Sequence, residues 1–162
     1  MIEKWIDKLA DTWMGIDLGG FGQVYSPYMV GNAGYPSSID PSDLANQVIA
    51  LNIPGPLNPG DYGISAPKRA FYTGMTQFHL APNGDMAHLQ RILPWYGRIM
   101  SAAVANPTLD GTVELFWIAN REDAITFANN ISFGNETPHW AMSVRWNVKE
   151  NYDSDYRGWL SS

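Results

Sequence analysis

The stretch WAMSVRWNVK, Trp140 to Lys149, decides the fold. Trp140, Met142, Val144, Trp146 and Val148 are apolar, and Ala141, Ser143, Arg145, Asn147 and Lys149 between them are small or polar. A period of two is a β-strand with one face buried and one face wet. Two tryptophans on the buried face need a large apolar surface opposite them. The segment 85–106, DMAHLQRILPWYGRIMSAAVAN, offers one as a helix with Asp85 as N-cap. Met86, Leu89, Ile92, Leu93, Tyr96, Ile99, Met100 and Ala103 read as its apolar stripe, and Pro94 should kink or split it. Trp140 and Trp146 are therefore expected to pack near Ile92, Tyr96 and Ile99.

Working outward, residues 2–14 read as an amphipathic helix. Ile2, Trp5, Ile6, Leu9 and Trp13 take one face, and Glu3, Lys4, Asp7, Lys8 and Asp11 take the other. Residues 68–80, KRAFYTGMTQFHL, read as a strand, followed by the turn APNGD. GTVELFWIA (111–119) is apolar on both faces and reads as a central strand. AITFA (124–128) is a short strand.

Residues 15–67 differ in composition, holding seven of the eleven prolines. Such a stretch excludes a long helix or a central strand. One short helix is expected, with Asp40 as N-cap and Pro41 at the first helical position, continuing through SDLANQVIAL. NIPGPLNPGDYGISAP (52–67) reads as an extended functional loop. The expected fold is α+β: a small mixed or antiparallel sheet, with the N-terminal helix and a kinked central helix on one face. It forms one domain over 1–151, carrying 15–67 as a loop-rich arm, with 152–162 as a tail.

A net charge of −6 with no basic cluster beyond Lys68-Arg69 argues against binding nucleic acid through its phosphates. Cysteine is absent, which removes disulfides and thiolate metal sites. No apolar run approaches the ~20 residues that span a bilayer, and the charged N-terminus does not read as a signal peptide. A soluble protein made in the cytosol is expected. LGGFGQVY (18–25) matches the glycine loop of protein kinases only in part, two residues short in spacing, and reads as a turn. His79, Asp85 and His88 bracket one turn and are the only candidates for a small catalytic or metal cluster. Surface or half-buried histidines are the plainer reading. No catalytic, cofactor-binding or metal-binding set is assigned, and no enzyme is expected. The tail ENYDSDYRGWLSS carries Tyr152, Tyr156, Trp159 and Leu160, which a free tail would not keep exposed. Folding back on its own domain and docking on a neighbouring subunit both satisfy it.

Two stretches together, HLAPNGDMAHLQRILPWYGRIMSAAVANPTLDGTVE (79–114) and WAMSVRWNVKEN (140–151), resemble the tail-terminator (tail-completion, minor tail) proteins of tailed bacteriophages. The resemblance covers roughly half of the chain. It implies a virion protein of the tail or neck, assembled in the host cytoplasm. Such a protein forms a ring with itself, typically a hexamer, that caps the tail tube and joins it to the neck or connector protein. DNA passes through the lumen without specific binding, and no cofactor or catalysis is involved. Another neck protein, such as a head–tail connector or stopper, is a close variant of that reading. A small aromatic-rich module binding carbohydrate or protein is the main alternative. The residues expected at subunit or partner interfaces are Pro54, Pro56, Leu57, Pro59 and Tyr62 of the loop, and Tyr152, Tyr156, Trp159 and Leu160 of the tail.

Overall fold

A computed structural model describes residues 2–16, 24–28, 36–58 and 69–151. The architecture is α+β. Helix α1 (Ile2–Met14) leads, followed by strands β1 (Val24–Tyr28), β2 (Val48–Asn58) and β3 (Arg69–Ala81). The broken helix follows as α2 (Leu89–Ile92) and α3 (Trp95–Ala105). Strands β4 (Leu115–Ile118), β5 (Ile125–Ile131) and β6 (His139–Asn151) complete the sheet. Its strand order is β1-β2-β3-β6-β4, and β5 pairs with β6 as well. β1 and β2 are parallel; the remaining pairs are antiparallel.

The alternation in β6 holds. Trp140, Met142, Val144, Trp146 and Val148 are all buried in the main core, on the face covered by the helices. Their partner for Trp146 is not the expected one. Trp146 lies under α1, with its ring edge-to-face on Trp5 at 5.6 Å and close to Phe116 at 6.3 Å. Trp140 instead braces the turn before the broken helix, its indole N–H donating to the Asp85 carbonyl at 2.8 Å. Tyr96, expected beneath these rings, is 54% exposed. The break at Leu93-Pro94 turns Ile92, Trp95, Ile99 and Ala103 inward, and leaves Met86, Leu93 and Tyr96 outside.

α1 docks through a polar contact as well as an apolar one. Trp13 donates its indole N–H to Asn52 Oδ1 and Thr76 Oγ1, both at 3.1 Å. Thr76 also accepts from Trp146 Nε1 at 2.9 Å and donates to Asn52 Oδ1 at 2.7 Å. All four side chains are buried. The Thr76 hydroxyl thus uses its one donor and both acceptor positions, which makes the buried cluster affordable in a low-dielectric core.

Three expectations about the sheet are corrected. Residues 48–58, read partly as a helix and partly as a loop, form a strand of eleven residues. Only one 3-10 turn, Pro41–Leu44, precedes it, with Asp43 reaching back to the Asp40 N–H at 3.0 Å. Among the described residues β1 pairs with Val48, Ile49 and Leu51 only, so Pro54 and Pro56 lie beyond that pairing, where a missing N–H breaks no described ladder bond on that edge. The strand bulges between Pro54 and Leu57. There a Cβ on Gly55 would stand 2.6 Å from the Thr73 carbonyl oxygen. The stretch 111–119 is not central: β4 has four residues and pairs only with β6, along the half of that edge that β5 leaves open. β3 and β6 are the central pair. Among the described residues no helix is long and apolar enough to cross a membrane.

Candidate functional site

The histidines do not form the expected cluster. His88 Nδ1 pairs with Asn83 Oδ1 at 3.0 Å, and Asp85 caps its own turn by accepting from the Ala87 N–H at 3.1 Å. His79 turns away from both and meets His139. His79 Nδ1 and His139 Nε2 are 2.6 Å apart, and both residues are fully buried. Neither is a surface or half-buried residue, as the sequence suggested. Burial, and then the neighbouring His139, pushes the His79 pKa down to about 3. Burial also lowers His139, with the Thr137 backbone acting in the opposite direction. Two neutral rings sharing one hydrogen bond suit a structural role. Among the described residues no group of three or more His, Asp or Glu side chains could hold a metal ion.

The pair belongs to a second, smaller core on the face of the sheet away from the helices. Ile39, Leu44, Ile49 and Leu51 form it, with Ile53 and Phe133 packed against them. The segment around Ile39 is tied down by the Ile39 N–H donating to the Phe133 carbonyl at 2.9 Å, and by Asn135 Nδ2 donating to the Ile39 carbonyl at 2.8 Å. Arg91 reaches across to the Leu44 carbonyl at 2.5 Å, and burial lowers its pKa to about 10.

Among the described residues this cover stops halfway along the sheet. Below it the register places Met75 beside Arg145, Thr73 beside Asn147 and Phe71 beside Lys149. Leu115 and Trp117 continue two of these rows on β4. Thr73, Met75, Arg145 and Asn147, together with Ile53–Pro56 and the 119–121 bend, line a hollow of about 520 Å³. Each of two carboxylates here serves two cations. Glu114 lies 3.3 Å from Lys149 Nζ and 3.9 Å from Arg69 Nε. Asp123 holds both Arg121 and Arg145, the latter at 3.7 Å. The Arg121 hydrogen bond is the main cause of a lowered Asp123 pKa.

A second exposed surface lies on the outside of α3. Exposed Leu93, Tyr96 and Val104 follow one another at helical spacing, with half-buried Met100 between the last two. Leu93 is 61% and Val104 74% exposed. Helical periodicity marked Leu93, Tyr96 and Met100 as apolar but assigned them to the core, so this patch escaped the sequence reading.

Of the residues expected at interfaces, Pro54, Pro56 and Leu57 lie together at the free end of β2, where Leu57 is exposed. Pro59, Tyr62, Tyr152, Tyr156, Trp159 and Leu160 fall outside the described residues, as do residues 18–23 of the glycine loop 18–25. Among the described tryptophans, Trp5, Trp13, Trp95, Trp140 and Trp146 are buried and Trp117 is half-buried. No protein-family model matches the chain, and no curated protein matches it.

Proposed function

We propose that the chain is a structural virion protein of the tail-terminator kind, a subunit that closes into a ring, a hexamer by family resemblance, between the tail tube and the neck or connector protein. The observation that supports self-association is the row of exposed Leu93, Tyr96 and Val104 on the outside of the broken helix, with half-buried Met100 between the last two. A monomeric soluble protein rarely leaves such a stripe facing water. A heterologous interface that closes into a ring would cover one stripe in every subunit. The two stretches that carry the family resemblance also meet in space: the Glu114 N–H donates to the Lys149 carbonyl at 2.9 Å. The proposal includes no catalytic step, consistent with Asp85 and His88 being used in a turn. A carbohydrate module would need stacking platforms, and the burial of Trp5, Trp13, Trp95, Trp140 and Trp146 weighs against it.

Native mass spectrometry of the wild type and of Leu93→Lys/Val104→Lys tests this. The wild type should form a closed oligomer, a hexamer if the resemblance holds. The double variant should be monomeric with an unchanged melting temperature, because both side chains are exposed. A stable wild-type dimer, or a variant that still assembles, rejects the ring through this face. The net charge of −6 also suits a lumen through which DNA passes without sticking. Neutralising lumen acids should then slow genome delivery, and unchanged delivery would remove that part of the proposal.

A further inference from the structure

We propose that His79 and His139 form an acid-sensitive latch: added protons at this pair release residues 36–44 from the sheet, while the main core stays folded. Two neutral imidazoles bring two N–H groups and two bare nitrogens. One N–H lies between His79 Nδ1 and His139 Nε2, which are 2.6 Å apart. The outward nitrogens, His79 Nε2 and His139 Nδ1, are buried without a hydrogen-bond partner at good geometry. One added proton makes both outward nitrogens buried donors and places a full charge beside Ile49 and the Phe133 ring. Two added protons put hydrogens on both facing nitrogens, which then cannot stay 2.6 Å apart.

Among the described residues no buried counter-charge meets such a proton. Asp40 and Asp43 of the cover and Glu136 of the turn before β6 are exposed. Arg91 bonds the Leu44 carbonyl, Arg145 faces Asp123, and Asp85 and His88 are used in their own turn. β2 and β5 place Ile49 and Ile131 opposite the two histidines. Glu150, the buried carboxylate of β6, lies at the far end of that strand. Burial, and then His139, holds His79 down at about 3, and burial outweighs the Thr137 backbone at His139.

The cover is the wall that can yield. Its Pro41–Leu44 turn lies against β3, with Ile39 and Leu44 fully buried. The Ile39 N–H donates to the Phe133 carbonyl, and Asn135 and Arg91 donate to the Ile39 and Leu44 carbonyls. β3 and β6, which carry the histidines, pair along their whole length. Lifting 36–44 lets water reach both rings with that ladder intact, and takes Ile39 and Leu44 off Ile49 and Leu51. Because the closed-state value of His79 lies below 6.5, opening becomes more favourable as pH falls from 6.5 towards 3, by about tenfold per pH unit. The latch needs no second subunit and is independent of ring assembly.

Amide exchange of the full chain at pH 7.5 and 4.5, corrected for the intrinsic pH dependence of exchange, tests this. The Ile39 N–H should lose roughly 100-fold in protection between the two. At pH 4.5 the Thr76 and Val144 amides, in the centre of β3 and β6, should remain clearly better protected than Ile39. His79→Leu/His139→Leu should hold the Ile39 protection constant across the same range. His79→Gln/His139→Gln, which also takes up no proton, gives the same reading if the leucine pair does not fold. Ile39 protection that is independent of pH in the wild type overturns the latch, as does a variant that keeps the full wild-type dependence. Equal protection of Ile39, Thr76 and Val144 at pH 4.5 overturns it too, because cover and core then open together.

Discussion

His79 and His139, 60 residues apart in sequence, meet through a hydrogen bond of 2.6 Å inside the smaller core. Burial lowers both pKa values, that of His79 to about 3, so between the ordinary histidine value of 6.5 and about 3 the folded state binds fewer protons at His79 than the unfolded chain does, and His139 adds to this in the same direction. The stability the neutral pair contributes is complete above pH 6.5 and is lost as pH falls through that window. For His79 the loss is roughly 1.4 kcal/mol per pH unit inside that window. Urea unfolding from pH 7.5 to 4.5 should show it. His79→Leu/His139→Leu should flatten the profile, and a wild-type midpoint that does not move between pH 6.5 and 4.5 would refute it.

Gly74 and Trp146 pair directly across β3 and β6. The Trp146 ring fills the space a side chain would need: a Cβ on Gly74 would stand 2.5 Å from Trp146 Cη2 and 2.8 Å from the Ile53 carbonyl oxygen. Gly74→Ala should therefore destabilise by about 1–3 kcal/mol through overpacking. Trp146→Ala should destabilise by about 3–5 kcal/mol. The double variant should lose less than the sum, because removing the ring makes room for the methyl group. Additive losses in a denaturation cycle would show that the two residues do not share that space.

What the sequence made legible follows from what periodicity reports. α1 and β6 are legible nearly to their ends because one face of each is apolar and the other polar, and β3 because it is rich in Phe, Tyr, Thr and Met. Periodicity reports burial, not neighbours. Phe116 and Ile118 are apolar, yet β4 is an edge strand whose exposed Leu115 looks like a core residue on paper. Pro54 and Pro56 hid β2, because proline marks a strand as improbable unless its edge is known to be free. The stripe on α3 is misassigned because the apolar residues cover more than one face: Ile92, Trp95, Ile99 and Ala103 are buried, and the neighbouring row with Leu93, Tyr96 and Val104 is exposed. The His79–His139 pair depends on the register of β3 against β6, which no local pattern carries.

The Thr76 hydroxyl is the shared partner of Trp13, Trp146 and Asn52. Thr76→Val keeps the shape and removes the hydroxyl. Trp13 then retains Asn52 Oδ1, but the buried Trp146 N–H loses its acceptor. The expected loss is about 1–3 kcal/mol, the penalty of one buried unsatisfied donor. Thr76→Ser, which keeps the hydroxyl, should lose less. Equal losses in Val and Ser variants would mean that packing of the methyl group, not the hydrogen bonds, matters here.

Gly134 adopts φ +72°, in the left-handed region, and a side chain there would run into the backbone of Ser37 and Ser38. Gly134→Ala carries both the strain of that conformation and a collision with the segment that covers the smaller core. The damage should be local first. The Ile39 N–H, bonded to the Phe133 carbonyl at 2.9 Å, should exchange faster with solvent. Amides in the centre of β3 and β6 should change much less. Uniformly faster exchange across the sheet would show instead that this cover and the main core unfold as one unit.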